Sequence, residues 1–403
     1  MNFLTKRLHL FTTLLLLIPS FLFATHNMGK DLEYKCLGVV GGNLQYEVTL
    51  RYYRNCWDNS INGQAASAPG SMTLNIRNQC TGTTSTATLN MDNTGTCPNK
   101  SGCQVTALCA SQISQSGCGW AGAGNPPYPG VELYIYKAVI LVPIGCANIL
   151  LGVTDCCRNG SISNLPSPGS LDGSIQASIN TTIDPQTGQP YCNTSVAFTT
   201  LPVTFVCVNN PVNFNHGAVD VDGDSLVYTQ VNPLQGGTLP YTNINYSAGW
   251  SVTNPVKTSP PNSFGFNTQT GQLTFTPAST EQDVLAMRVD EYRNGVLIGS
   301  TMRDIQLVVI NCLVSIPKQD TISNVQNGNA TGGYTVQACP GTQVEMKILT
   351  TDVANKNLNL TSNISSTPSA IPGAIFDTLR VGTAPWDTVY ARVRWTPTIA
   401  DTG

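Results

Sequence analysis

The chain has 403 residues, 11% of them charged, and its 20 Lys and Arg against 23 Asp and Glu leave a net charge of −3. That balance, with no Lys/Arg cluster anywhere, excludes a nucleic-acid partner, because phosphate neutralisation needs a concentrated basic face. So little charge also excludes a disordered polyelectrolyte, and the plentiful Gly, Thr, Ser, Asn and Pro favour strands and turns over helices.

At the N-terminus Lys6 and Arg7 precede an apolar run from Leu8 to Phe23, followed by the small residue Ala24. A basic start, a short apolar core and a small exit describe a secretory signal over residues 1–24. Pro19 breaks the run before it reaches the roughly 20 apolar residues of a membrane span. The expectation is an exported chain with its mature start near Thr25 and no later transmembrane segment.

Fourteen cysteines follow, eleven of them between Cys36 and Cys192. There is no C-x-x-C pair and no histidine between Cys36 and Cys207, so the pattern reads as disulfides of a secreted protein and not as metal ligation. Adjacent cysteines on a strand point opposite ways, so Cys156 and Cys157 are expected to bond different partners.

Residues 25–200 therefore read as a disulfide-rich β domain. Leu44, Tyr46, Val48, Leu50 and Tyr52 alternate with polar neighbours, a period of two that turns one set inward. Val131 to Val142 is a β-type run too continuous for an edge strand. Asn78 to Pro129, rich in Thr, Gly, Ser, Asn and Cys, reads as loop excursions held by disulfides.

Residues 201–312 read as an Ig-like or cadherin-like β-sandwich, with strands at Val203–Cys207, Ser225–Val231, Gln272–Thr276, Val284–Val289 and Ile305–Cys312. Cys207 and Cys312, on its first and last strands, are a candidate closing disulfide. Residues 313–403 repeat the pattern. Cys207 precedes Asp220 by the spacing that separates Cys339 from Asp352, and Leu273-Thr274-Phe275-Thr276-Pro277 matches Val393-Arg394-Trp395-Thr396-Pro397. The fold class expected is all-β, a Cys-rich β domain followed by tandem sandwiches. By the repeat, the second sandwich lacks its closing strands and is expected to be incomplete.

The segments Thr25-His26-Asn27-Met28-Gly29, Tyr34-Lys35-Cys36-Leu37-Gly38 and Tyr46 to Cys56, with Asp290 to Gly299 and Trp395-Thr396-Pro397, resemble large secreted proteins of gliding bacteria. Those are multidomain adhesins that end in a gliding-motility-associated sorting domain and leave by type IX secretion. The resemblance implies an extracellular, cell-surface protein; the sorting domain itself is not in this sequence.

Asp220-Val221-Asp222-Gly223-Asp224 places three carboxylates at alternate positions around a glycine, a pattern that can converge oxygens on Ca²⁺. It is not an EF-hand, since Ser225 and Val231 stand where that loop needs Gly and Glu. Asp290 and Glu291 are candidates to complete the site from another strand, whereas Asp352, Ala354 and Lys356 imply its loss from the second copy.

Catalytic patterns are sparse. Only His26 and His216 remain after the signal, and no nucleophile elbow, zincin motif or phosphate loop occurs. Carboxylate pairs such as Asp155 with Asp172 or Glu281 with Asp283 carry no distinguishing signal, and no enzyme activity is expected. The function expected is a secreted adhesin-like or scaffold protein whose partners are surface glycans or proteins. The alternative is an array of carbohydrate-binding modules, with Trp57, Trp120 and Trp250 offered as stacking platforms; a glycan hydrolase is less favoured.

Overall fold

The computed structural model describes residues 27–58, 63–65, 68–97, 100–108, 113–201, 205–311, 318–330, 336–351, 373–381 and 388–398, with isolated positions at 360, 362, 364 and 371. Residues 1–26, which include the expected signal, and Cys312 lie outside them. The longer strands are β1 (Asn27–Val40), β2 (Asn43–Asn55), β3 (Ser71–Asn78), β4 (Thr84–Met91), β5 (Val131–Pro143), β6 (Ile149–Asp155), β7 (Gly173–Ile179), β8 (Val212–Phe214), β9 (Ser225–Val231), β10 (Gly265–Phe266), β11 (Leu273–Phe275), β12 (Gln282–Arg293) and β13 (Val296–Ile310). A second compact unit holds β14 (Lys318–Gln326), β15 (Val344–Thr351), β16 (Ile375–Arg380) and β17 (Thr388–Trp395). The protein is all-β: among the described residues there is no helix of seven residues or more, and none long and apolar enough to cross a membrane.

The alternating segment became β2, and its inward set Leu44, Tyr46, Val48, Leu50 and Tyr52 is fully buried. Its two neighbours are β1 and β5, both antiparallel over nearly their whole length. From β5 the hydrogen-bonded path continues through β4, β3, β6 and β7 and then returns to β13, which also pairs with β1. Eight strands thus form a closed circuit. Closure removes open edges and encloses one core, in which β1 and β2 meet Leu74, Leu89, Tyr136, Ile149, Leu151, Val153, Ile175 and Ile179.

Two expectations are corrected here. The stretch from Asn78 to Pro129 is not all loop, because Thr84–Met91 is a strand of the circuit paired with β3 and β5. The boundary at residue 200 also fails, since the described residues up to Val206 and Pro211–Val309 form one compact unit. Gly29, Lys30 and Asp31 pair with Ile305, Asp304 and Arg303, Ser178 and Ile179 with Ser300 and Gly299, and Ser174 with Leu234. The reason is hydrogen-bond satisfaction: β13 completes the ladder for strands more than a hundred residues earlier. A Cβ on Gly29 would lie 2.6 Å from the Asp304 carbonyl oxygen, so the close approach of β1 to β13 depends on that glycine.

Residues 205–311 contribute a small sheet in the order β8–β11–β10. From it, Phe266 packs on Tyr228, Met287 and Val289 of β9 and β12. The second unit, considered by itself, has the order β14–β15–β17–β16. The internal repeat holds to the register. Val212 pairs with Phe275 and Phe214 with Leu273, just as Val344 pairs with Trp395 and Met346 with Val393. Each copy also enters its first strand through the same turn: Asn210 N–H donates to Cys207 O and Thr342 N–H to Cys339 O, with Asn209 and Gly341 in the left-handed region.

The disulfides with both partners among the described residues are Cys36–Cys192, Cys56–Cys118, Cys80–Cys146, Cys97–Cys103 and Cys156–Cys157. The last corrects the expectation of separate partners. β6 ends at Asp155, so neither cysteine sits in the strand geometry that would turn them apart. Cys207 is buried and disulfide-bonded, but the expected pairing with Cys312 falls outside the described residues.

Charged groups tie β1 to β13 in the interior. Arg303 donates to both oxygens of Asp31 at 2.7 and 3.0 Å, and Tyr53 donates to Asp31 as well, with Arg303 and Asp31 almost wholly buried. Lys30 contacts Asp155, and Arg158 pairs with Asp304 at 2.7 Å. Buried pairs of this kind contribute little net stability when intact, but they are costly to break one side at a time.

Candidate metal centre

The Asp220–Asp224 turn lies between the Ala218–Val219 strand and β9. Asp220 Oδ1 accepts the backbone N–H groups of Asp222 (2.8 Å) and Asp224 (3.0 Å), which folds the turn around one carboxylate. Gly223 takes φ 80°, a value that disfavours a side chain. The ladder between β9 and β12 then sets Leu226 opposite Glu291 and Ser225 opposite Tyr292, bringing the end of β12 beside the turn.

Asp220, Asp224 and Glu291 each direct one carboxylate oxygen to a common point, all within 4.8 Å of one another. Glu291 is completely buried. Its Oε2 accepts from Asn193 Nδ2 at 2.6 Å, and Asn193 is positioned by the neighbouring Cys36–Cys192 disulfide. The other oxygen, Glu291 Oε1, and Asp220 Oδ2 are buried without any hydrogen-bond donor. Two acceptor oxygens in that position require a proton or a cation. Burial pushes the Glu291 carboxyl up to about 8; the Asn193 amide pulls it down and the Asp220 charge pushes it up again.

Arg293 supplies the nearest positive charge. Its guanidinium grips Asp224 through Nε (2.8 Å) and Nη2 (2.7 Å), and Nη2 also reaches Asp222 and Asn193 at 3.2 Å. The Asp224 hydrogen bonds, foremost, hold the Arg293 pKa above its ordinary value. Four carboxyl groups against one guanidinium leave the corner acidic. Its donors are all oxygen, a set suited to a hard cation such as Ca²⁺ and poorly suited to Zn²⁺ or Cu²⁺.

The five acidic residues singled out in the sequence are thus divided. Asp222 sits at the rim, where Thr194 N–H donates to it (2.8 Å) and Arg293 pairs with it. Asp290 does not join the corner. It is adjacent to Glu291 on a strand, so its side chain leaves on the opposite face, where Arg288 binds both its oxygens at 2.8 Å. Asp352, Ala354 and Lys356 lie outside the described residues. Asn193 and Arg293 carried no sequence signal as site residues, because neither belongs to the acidic turn.

The tryptophans do not form a common platform. Trp57 is buried and donates to Asn125, Trp120 donates to the Gly124 carbonyl in its own loop, and Trp250 has the Lys257 ammonium 4.4 Å above its ring. His216, the one histidine among the described residues, is buried beside Arg303; desolvation first, and then that guanidinium, hold its pKa well below the usual value. Glu281 and Asp283 are neighbours in the interior; burial raises both carboxyls, Glu281 raises Asp283 further, and hydrogen bonds from the Lys257 backbone and Asp283 pull Glu281 back down.

Comparison of the chain with protein-family models and with curated proteins finds no match.

Proposed function

We propose that this is a secreted cell-surface protein of the adhesin or scaffold kind, not an enzyme, in which Ca²⁺ stiffens the corner formed by Asp220, Asp224 and Glu291. The observation that carries the reading is that Asp220 Oδ2 and Glu291 Oε1 are buried without a hydrogen-bond partner at the corner where oxygens of Asp220, Asp224 and Glu291 lie within 4.8 Å of one another. A cation there links the 220–224 turn to the end of β12 and, through Asn193, to the segment stapled by Cys36–Cys192. Extracellular residence is supported by the five disulfides, since such bonds persist in oxidising compartments. An enzyme-free reading is supported by the burial of His216 and by the division of the candidate carboxylates: Asp155 is engaged with Lys30 and Tyr52, and Glu281 with Asp283 lies in the interior.

The test is thermal unfolding of the mature chain with EDTA or with millimolar Ca²⁺. Ca²⁺ at a hundred times its dissociation constant adds about 2.7 kcal/mol of stability. The reading fails if Ca²⁺ leaves the transition unchanged in the wild type, or if Asp220→Asn with Glu291→Gln responds as the wild type does.

A further inference from the structure

The outward faces of β1, β2 and β5 carry a second feature, away from the acidic corner's buried oxygens. Three rows run across these strands in register. Lys35 pairs with Glu47 and Glu47 with Val139; Glu33 pairs with Thr49 and Thr49 with Lys137; Asp31 pairs with Arg51 and Arg51 with Ile135. Asp92 closes one side of this floor, and Thr194, Ser195 and Ala197 line the other, enclosing a cavity of about 320 Å³. That volume lies within the range of small-molecule sites, about 300–1,000 Å³, but such sites are mostly apolar and this one is not.

Its charge balances. Lys35, Arg51 and Lys137 stand among Glu33, Glu47 and Asp92, and each row carries one basic and one acidic residue. Arg51 lies 3.5 Å from Glu33 and Lys137 3.0 Å from Asp92. Among the described residues Lys35 and Glu47 have no ion pair, whereas the Arg51 Nε is buried against Glu33 Oε1. The floor therefore presents spare donors and spare acceptors side by side, with the Thr49 hydroxyl between them. A net-charged ligand would meet like charge over half of this surface. A neutral polyol would not, because each hydroxyl both donates and accepts.

We propose that this groove binds a short, neutral saccharide, held by hydrogen bonds to Lys35, Glu47, Thr49 and Arg51 and not by aromatic stacking. The proposal extends the surface-protein reading by naming a partner, but it uses none of the three residues that converge on the cation.

The test uses the mature chain with its disulfides intact. A panel of neutral trisaccharides (maltotriose, cellotriose, chitotriose and mannotriose), alongside sialylated and sulfated glycans, is titrated by calorimetry at 50 and 500 mM salt. The expected result is saturable binding of at least one neutral trisaccharide, insensitive to salt. The charge-conserving double variant Lys35→Ala with Glu47→Ala should weaken it at least tenfold while leaving the Ca²⁺ melting response intact. That response shows the variant is folded and keeps failure here separate from failure of the calcium reading. The proposal is overturned if no neutral trisaccharide binds, if only anionic glycans bind and lose affinity with salt, or if the double variant binds as well as the wild type.

Discussion

The change Glu291→Gln isolates the acidic corner. Without a cation, the Glu291 carboxyl titrates at about 8 in the folded protein against its ordinary 4.5. Below pH 4.5 it is protonated in both folded and unfolded chains and costs nothing. From there to pH 8 the unfolded chain ionises while the folded chain holds its proton, so stability falls by about 1.4 kcal/mol per pH unit. At pH 7.5 the loss is on the order of 4 kcal/mol, and above pH 8 it levels off. A glutamine keeps an oxygen for the Asn193 amide and can donate its own N–H to Asp220 Oδ2. In EDTA the variant should therefore match the wild type near pH 4.5 and exceed it by several kcal/mol at pH 7.5. Ca²⁺ should close that gap by stabilising only the wild type. Urea unfolding followed by tryptophan fluorescence from pH 4.5 to 8.5, with and without Ca²⁺, measures both effects. Parallel stability curves for the two proteins in EDTA would refute the reasoning.

Asp31→Asn leaves Arg303 buried without its partner's negative charge, and should cost about 3–5 kcal/mol in urea unfolding; a change under 1 kcal/mol would mean the interior there is wetter than its burial implies. Replacing Cys36 and Cys192 by serine opens a loop with a sequence separation of 156, worth about 5 kcal/mol in the chain-entropy picture, and should weaken Ca²⁺ binding because Asn193 loses its tether. Unchanged calcium affinity in that double variant would place the tether elsewhere. Arg293→Met removes the one guanidinium that neutralises Asp224, so dependence on Ca²⁺ should rise, with a larger difference in melting temperature between calcium and EDTA than in the wild type. N-terminal sequencing of the exported protein should begin near Thr25, and a retained Met1 would count against the secretory signal.

How much was legible in advance differs by scale. The strand β2 was readable because a period of two survives any tertiary arrangement in which one face is buried. The repeat was readable for a similar reason: equivalent residues at fixed spacing reproduce the same register, as Val212 with Phe275 and Val344 with Trp395 show. The acidic turn was readable because Asp220 builds it from neighbours two and four residues away, a purely local arrangement.

Pairing across long separations was not. Nothing in Gly29-Lys30-Asp31 announces Arg303, because the ladder between β1 and β13 is set by which edges remain open once the circuit has formed. That is why a boundary drawn from cysteine density fell inside a single sheet. Asp290 and Glu291 were indistinguishable as candidates, being adjacent acids. Only the register of β9 against β12 decides that Glu291 turns into the corner and Asp290 toward Arg288. The groove is the extreme case. Lys35, Glu47, Thr49, Arg51 and Lys137 are ordinary outward residues of three strands, and they become one balanced surface only when the ladders place them in rows. The sequence determined composition, strand periodicity and the local turn, since each depends on residues close together in the chain. Which distant groups share a buried point or an open face was decided by hydrogen-bond closure of the sheet, and that exists only in the folded molecule.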